Sequence, residues 1–333
     1  MLLFFLLVSP NTTFGKTRRD SIILFIDELY RSDGGYADKT VSSSSTDAST
    51  FVLMTAALLG YEINNTLDLQ HYFQSSQNYD GGFGNNPNNI SNWQSTIHSI
   101  FGLNILGINA SQLSNWRINN FINDTAINTL FNTSLNPITP VDLNKEIIDL
   151  WHDYIYTYSV IGYIPIIPIE FLLSNLLQMQ YPNGTYPNLP IAISTINLLN
   201  LLGEPVRDVE LASEYIRSFA DSSGAFSYSR EGGASIKATM ESVRALQVMG
   251  RLDDLEYKRD IVQFLLNQQE ASQGIHEVGK EVDIYATYQA VYTIFVLGYI
   301  TELNAPDVLE SDRFVTFPFI SMILIPLVWR KRR

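Results

Sequence analysis

Apolar positions recur along the chain with the three- and four-residue spacing of amphipathic helices, in segments such as Ile22 to Tyr30, Leu172 to Met179, Val209 to Phe219 and Tyr257 to Leu266. A second set of apolar helical segments ends on a bulky residue followed by glycine: Leu59-Gly60, Leu106-Gly107, Ile161-Gly162, Leu202-Gly203, Met249-Gly250 and Leu297-Gly298. These glycines stand 47, 55, 41, 47 and 48 residues apart. Glycine just past a periodic segment suits a left-handed C-cap, where a Cβ is strained. Six such ends at a near-regular step mark a repeat protein.

Between the two kinds of segment lies a tight turn with glycine and then an aromatic residue or histidine. It reads Asp33-Gly34-Gly35-Tyr36, Asp80-Gly81-Gly82-Phe83, Asn183-Gly184-Thr185-Tyr186, Ser223-Gly224-Ala225-Phe226 and Gln273-Gly274-Ile275-His276, and only the third repeat lacks it. Each repeat is thus helix, turn, helix. The expected fold is all-α: about six helical hairpins that either extend as an open solenoid or close into an α/α toroid, an α6/α6 barrel with inner and outer rings. Short connections favour closure. An Asn-rich stretch over 111–143 departs from the pattern, as an elaborated loop or an irregular third outer helix. Length alone would suggest two domains; periodicity predicts one, over 16–305.

Two of the turns carry more. Gln77-Asn78-Tyr79-Asp80-Gly81-Gly82-Phe83 and Gln180-Tyr181-Pro182-Asn183-Gly184-Thr185-Tyr186 both read Gln-x-x-x-Gly-x-aromatic. That is similar to the repeat motif of the prenyltransferase and squalene-oxidase/cyclase superfamily, and the resemblance spans roughly residues 20 to 300. It implies an α6/α6 barrel with a central cavity and, for an enzyme, work on an isoprenoid or other lipid.

The chemistry that the resemblance would bring is degraded. Lys280-Glu281-Val282-Asp283-Ile284-Tyr285 looks like the zinc segment Lys-x-x-Asp-x-Cys of protein prenyltransferase β-subunits. Asp283 matches the aspartate, but Tyr285 stands where the cysteine would be, and no histidine follows to supply the remaining ligand. The Asp-x-Asp-Asp acid motif of the cyclases is also missing, Asp253-Asp254 being the nearest pair. With no cysteine in the chain, thioester chemistry is excluded too. No metal and no cofactor are therefore expected.

What remains is the cavity lining, approached by aligning the second helices on their terminal glycines. Nine residues before each glycine stand Phe51, His98, Asp153, Ser194, Glu241 and Gln289, five of them polar in otherwise apolar helices. Seven residues later the layer is wholly apolar: Leu58, Ile105, Val160, Leu201, Val248 and Val296. Such a cavity suits an amphiphilic ligand with a polar head near the helix N-termini. His98, Asp153, Glu241, Gln289 and Tyr285 are the candidate ligand contacts, and Asp283, Glu241 and Asp153 the candidate acids. His98 with the two carboxylates also admits acid–base work of the glycosidase kind. The plainer alternative is that these polar groups cap, hydrogen-bond or reach solvent. Trp151, His152, Tyr154, Tyr156, Tyr158 and Tyr163 would stack on a ligand or pack the core. Lys237 and Arg244 read as a salt-bridged helix surface with Glu241. His71 and His276 lie near turns without partner spacing.

Charge sharpens the picture at the ends. Of the 333 residues 46% are hydrophobic and 17% charged, and the net charge is −13, yet the last four residues are Arg330-Lys331-Arg332-Arg333. The span from Lys16 to Arg313 carries 17 basic and 34 acidic groups. A nucleic-acid partner is excluded by that balance. Residues 1–15 form an uncharged apolar start that reads as a signal peptide. Residues 314–329, sixteen without a charge, read as a transmembrane helix, and 330–333 as its basic cytosolic tail; a sorting tail that is later clipped fits equally, and a buried C-terminal helix of the body is the plainer alternative. At about 1.5 Å per residue that span is ~24 Å, short of the ~30 Å hydrocarbon core, so flanking cations must snorkel or the bilayer thin. The anticipated protein is therefore single-pass, with its body outside the cytoplasm, possessing a surface for protein or glycan partners and a lumen for a lipid. Binding or scaffolding is the leading expectation. A transferase- or cyclase-like lipid enzyme is the principal alternative, and an α/α-barrel glycoside hydrolase stands behind it.

Overall fold

The computed structural model describes residues 17–39, 41–108, 118–121, 144–161, 169–270 and 273–304. The segments expected to be a signal peptide and a transmembrane helix lie outside these, as does most of 111–143. Among the described residues no helix is long and apolar enough to cross a membrane. The helices are α1 Arg18–Glu28, α2 Thr46–Leu59, α3 Thr66–Ser75, α4 Trp93–Ile105, α5 Ile118–Phe121, α6 Lys145–Ile161, α7 Ile169–Gln178, α8 Leu189–Leu202, α9 Val209–Arg217, α10 Ile236–Val248, α11 Lys258–Leu266 and α12 Ile284–Val296. Two 3-10 turns, Leu252–Asp254 and Ile300–Leu303, follow α10 and α12.

The second helix of every hairpin packs on the second helix of the next. The order runs α2, α4, α6, α8, α10, α12, and α12 then returns to α2, so the ring closes. Helices α1, α3, α7, α9 and α11 pack on the outside of this ring. The toroid expected from the glycine spacing is therefore formed, rather than an open solenoid. Phe51 of α2 seals the closure, its ring 4.8 Å from Tyr285 and 5.2 Å from Tyr288 of α12. Between α4 and α6 the inner helices touch least, and large aromatic pairs bridge them: Trp93 stacks on Tyr154 at 6.4 Å and Phe101 meets Tyr156 edge-on at 4.7 Å.

Local chemistry explains why each inner helix begins where it does. Ser45, Asn92, Asn144, Asn188, Ser235 and Asp283 each accept a backbone N–H three residues on, at 2.6 to 3.0 Å. A side-chain cap of this kind is worth about 1 kcal/mol. Five of the six glycines at the other ends have positive φ, from +61° to +84°; the sixth, Gly162, lies outside the described residues.

A hydroxyl one turn into the inner helix then ties the helix to the turn before it. Ser49, Thr96, Thr239 and Thr287 accept the backbone N–H of Tyr36, Phe83, Phe226 and Ile275 at 2.9 to 3.0 Å. In the α8 repeat Ala192 holds that position. This pattern corrects the register of the last turn. Ile275, fully buried, takes the place of Tyr36, Phe83 and Phe226, while His276 is one residue past it and contacts the Glu277 carbonyl at 3.0 Å.

Turns also join one repeat to the next. Gly184, at φ +82°, lies so close to α9 that a Cβ there would sit 2.2 Å from Leu211 Cβ. Gln180, the leading glutamine of the repeated motif, is buried and bonds both backbone groups of Asp208, the residue that caps α9. At Gln180 and Gly184 the motif is thus a clamp between consecutive hairpins.

Candidate functional site

Outer helices cover the convex side of the ring. Residues on the inner helices that remain only partly buried therefore line its interior. Along each inner helix they recur at three- and four-residue steps, as in Asp47, Phe51, Met54 and Leu58 on α2, or Glu241, Arg244 and Val248 on α10.

Nine residues before the cap glycines, the predicted layer comes from six helices, and four of its five polar groups, those of His98, Asp153, Ser194 and Glu241, are engaged by side-chain partners. His98 Nδ1 lies 2.9 Å from Asp47 Oδ1, with only 17% and 13% of the two side chains exposed. Asp47 was not singled out in the sequence, because its partner is 51 residues away on another helix. The His98 ring also meets Phe51 edge-on at 5.1 Å. Asp153 is 3.2 Å from its neighbour His152. Ser194 donates to Asp149 at 2.5 Å, and Lys145 donates to the other oxygen of the same carboxylate. Glu241 accepts from Tyr228 at 2.8 Å, and burial together with the Glu241 charge drives the Tyr228 phenol well above its ordinary pKa. Gln289 is partly buried one turn below Tyr285. Each carboxylate of the layer is thus held by its own partner.

Three residues nearer the glycines stand Met54, Phe101, Tyr156, Asn197, Arg244 and Tyr292. Burial pushes Tyr156 up to about 12, with the Arg244 charge pulling the other way, and Tyr288 and Tyr292 feel the same two effects. Arg244 therefore faces the lumen. It makes no salt bridge among the described residues, which corrects its reading as part of a salt-bridged surface with Glu241. Below it stand the six aliphatic side chains from Leu58 to Val296; five are partly buried and Leu201 is buried. The interior is consequently graded, polar at the helix N-termini, mixed with tyrosine in the middle and aliphatic at the end.

Asp283 and Tyr285 do not fit a zinc site. The Asp283 carboxylate caps α12 by accepting the Ala286 N–H at 2.6 Å, and Tyr285 packs its ring on Phe51. Burial raises the Asp283 pKa above its ordinary value, the Ala286 N–H opposes this, and the Asp38 charge adds to it. Burial and the charges of Asp47 and Asp38 push Tyr285 up to about 12. Among the described residues no group of three His, Cys, Asp or Glu side chains converges as a metal site would require. Of the aromatic run, Trp151, Tyr154 and Tyr158 are buried core residues, Tyr156 alone reaching the Arg244 layer; Tyr163 lies outside the described residues. His71 is exposed on α3, remote in sequence from any of these groups.

A closed α/α toroid with an amphiphilic interior is the class that this fold and lumen define. The chain belongs to the prenyltransferase alpha-alpha toroid domain family, which matches residues 1–128 and 171–317. Among solved structures, the type II terpene cyclase MstE from Scytonema superposes with a TM-score of 0.55 at 12% identity, over 86% of this chain and 97% of the cyclase. A variant of that cyclase in complex with its substrate geranylgeranyl dihydroxybenzoate gives 0.51 at 13% identity, over 86% and 96%. At such identities the likeness is one of fold. A sequence search of curated proteins finds no match.

Proposed function

We propose that the protein binds an amphiphilic isoprenoid or a similar lipid inside the toroid. The observation that carries this reading is the gradation of the lumen: engaged ion pairs at the helix N-termini, Phe51, Phe101 and the tyrosines in the middle, and six aliphatic side chains at the far end. An apolar chain gains about 25 cal/mol for each Å² removed from water there, while a polar end stays within reach of hydrogen-bonding groups. The geranylgeranyl substrate named for MstE supports the choice of ligand class.

Native mass spectrometry of the full chain, released in mild detergent from a lipid-containing host, tests the proposal. A reproducible adduct of isoprenoid mass, weakened by Val248→Asp in the aliphatic layer, is the expected result. An apo mass that resists added geranylgeraniol would overturn it and move the search to the outer surface, with a protein or glycan partner. Residues 314–333 support a membrane location with the toroid outside the cytoplasm. A chain stopped at residue 313 should then leave the membrane fraction.

One observation favours a catalytic reading of the same lumen. Asp47 orients His98 through Nδ1 and leaves Nε2 without a partner among the described residues, an arrangement able to deliver or accept a proton. Isoprenoid turnover that disappears in both Asp47→Asn and His98→Gln, with binding retained, would establish an enzyme.

A further inference from the structure

Several asparagines are spent within the fold. Asn92, Asn144 and Asn188 cap inner helices through Oδ1, the Asn78 amide donates to the Asn89 carbonyl at 2.9 Å and to the Ser91 hydroxyl at 3.0 Å, and the Asn175 amide donates to the Phe171 carbonyl at 2.8 Å. None of these five stands in the triplet Asn-x-Ser/Thr that accepts an N-linked glycan. Seven other asparagines do, and Asn64, Asn89 and Asn183 are the ones among the described residues. All three are exposed in loops between helices. The side chains of Asn64 and Asn89 make no hydrogen bond among the described residues. At Asn183 only Oδ1 is engaged, accepting the Thr185 N–H at 3.2 Å and the Thr185 hydroxyl at 2.8 Å, which leaves Nδ2 unbonded among those residues.

A count of triplets decides little in an Asn-rich chain; their surroundings decide more. Tyr79, Ile90 and Leu67 are the most exposed large apolar side chains among the described residues, at 92%, 87% and 70%. Each stands at one of these triplets. Ile90 is the middle residue of Asn89-Ile90-Ser91, Leu67 directly follows Asn64-Asn65-Thr66, and the Asn78 bonds to Asn89 and Ser91 hold the segment of Tyr79 beside the Asn89 loop. The exposed Tyr181 shares the Asn183 turn, which the Tyr181 N–H closes on the Thr185 carbonyl at 2.8 Å. A single exposed apolar side chain needs no explanation, but the recurrence of the largest exposures at the triplets does. The C–H face of a sugar ring packs on a phenol or an aliphatic side chain, while its hydroxyls carry the hydration.

We infer that Asn64, Asn89 and Asn183 carry N-linked glycans, and that the first sugars at Asn89 and Asn183 lie over Ile90 with Tyr79 and over Tyr181. In the transfer, the asparagine Nδ2 attacks C1 of the sugar on a polyprenyl-phosphate-linked oligosaccharide. The Nδ2–C1 bond forms, the C1–O bond to phosphate breaks, the amide gives up one proton, and the carrier leaves as its phosphate; a membrane oligosaccharyltransferase supplies the donor. The inference rests on the location outside the cytoplasm proposed above, where folded loops and carrier meet.

The test is peptide mass mapping of the full chain from its native membranes, paired with labelling of intact cells by a membrane-impermeant amine reagent, for which the exposed Lys237 and Lys280 are targets. The expected result is a sugar mass on the peptides of Asn64, Asn89 and Asn183, and none on Asn65, the neighbouring asparagine outside any triplet. Asn89→Gln and Asn183→Gln should each remove one addition. Thr66→Ala, which keeps Asn64 and breaks its triplet, should abolish the addition there. Bare asparagines in a chain labelled from outside would overturn the inference, leave the location intact and turn the exposed apolar side chains into candidates for a protein contact. Bare asparagines in a chain labelled only after lysis would reject the location as well.

Discussion

Two glycines of one repeat have nearly the same backbone and opposite surroundings, which makes them a test of how the hairpins are joined. Gly184 has φ +82° and Gly203 φ +77°, but a Cβ on Gly184 would lie 2.2 Å from Leu211 Cβ whereas one on Gly203 would meet nothing within 4 Å. Gly203→Ala should cost only the left-handed strain, about 1–2 kcal/mol. Gly184→Ala carries the same strain and, in addition, forces α9 away from the turn, an overpacking cost of about 1–3 kcal/mol. The expected destabilisations are therefore about 1–2 and about 2–5 kcal/mol, read by urea unfolding with the slope unchanged. Trimming the neighbour with Leu211→Ala should not rescue Gly184→Ala, since the contact is with the Cβ that alanine keeps. Equal costs for the two glycine variants, within about 0.5 kcal/mol, would show that turn and next hairpin are not in contact and refute the clamp.

Three further outcomes follow from the same geometry. Asp283→Ala should cost about 1 kcal/mol as a lost cap, whereas Asp283→Asn keeps the acceptor and removes a carboxylate whose pKa folding raises, so it should be neutral or stabilising at pH 7 by urea unfolding; an equal loss in both would argue against a capping role. Asp254 behaves oppositely: burial alone would raise its pKa, but the Ser213 hydroxyl and Arg251 hold it below its ordinary value. Its contribution to stability is present above about pH 4, the range where an unfolded Asp ionises, and is lost as the pH falls through the lower folded value. Asp254→Asn should therefore flatten the acid limb of the stability profile. Thr239→Val, which strands the buried Phe226 N–H, should cost about 1–3 kcal/mol, read by thermal unfolding.

The fold was legible because its repeats need particular residues at particular places. A left-handed cap tolerates little besides glycine, and five of the six predicted caps have that conformation in the described residues. The last turn misled for a physical reason: Gly274 is required by space rather than by φ, since a Cβ there would lie 2.5 Å from the Thr287 hydroxyl, so its offset from the helix differs by one from the positive-φ turns. The lumen layers could be written down by counting back from the caps, because the inner helices are parallel copies in one register. Partnership could not. Asp47 and His98, or Ser194 and Asp149, meet across helices about 50 residues apart in sequence, and no local spacing records that. Arg244 was misjudged for the same reason, since an Arg three residues from a Glu looks the same on a solvent face as on the wall of a cavity.

Closure of the inner ring changes how the repeats share their stability. A linear array frays from its ends, each terminal unit held by one neighbour, and its melting broadens as the array lengthens. Here no hairpin is terminal: α12 rests on α2 as α2 rests on α4, so every unit is held from two sides. Breaking one seam does not release a hairpin, only opens the ring, and among the described residues the inner helices that touch least are α4 and α6, joined by Trp93, Tyr154, Phe101 and Tyr156. The chain should accordingly melt as a single cooperative body that opens first along that aromatic seam, a ring that springs at its clasp rather than a stack that peels.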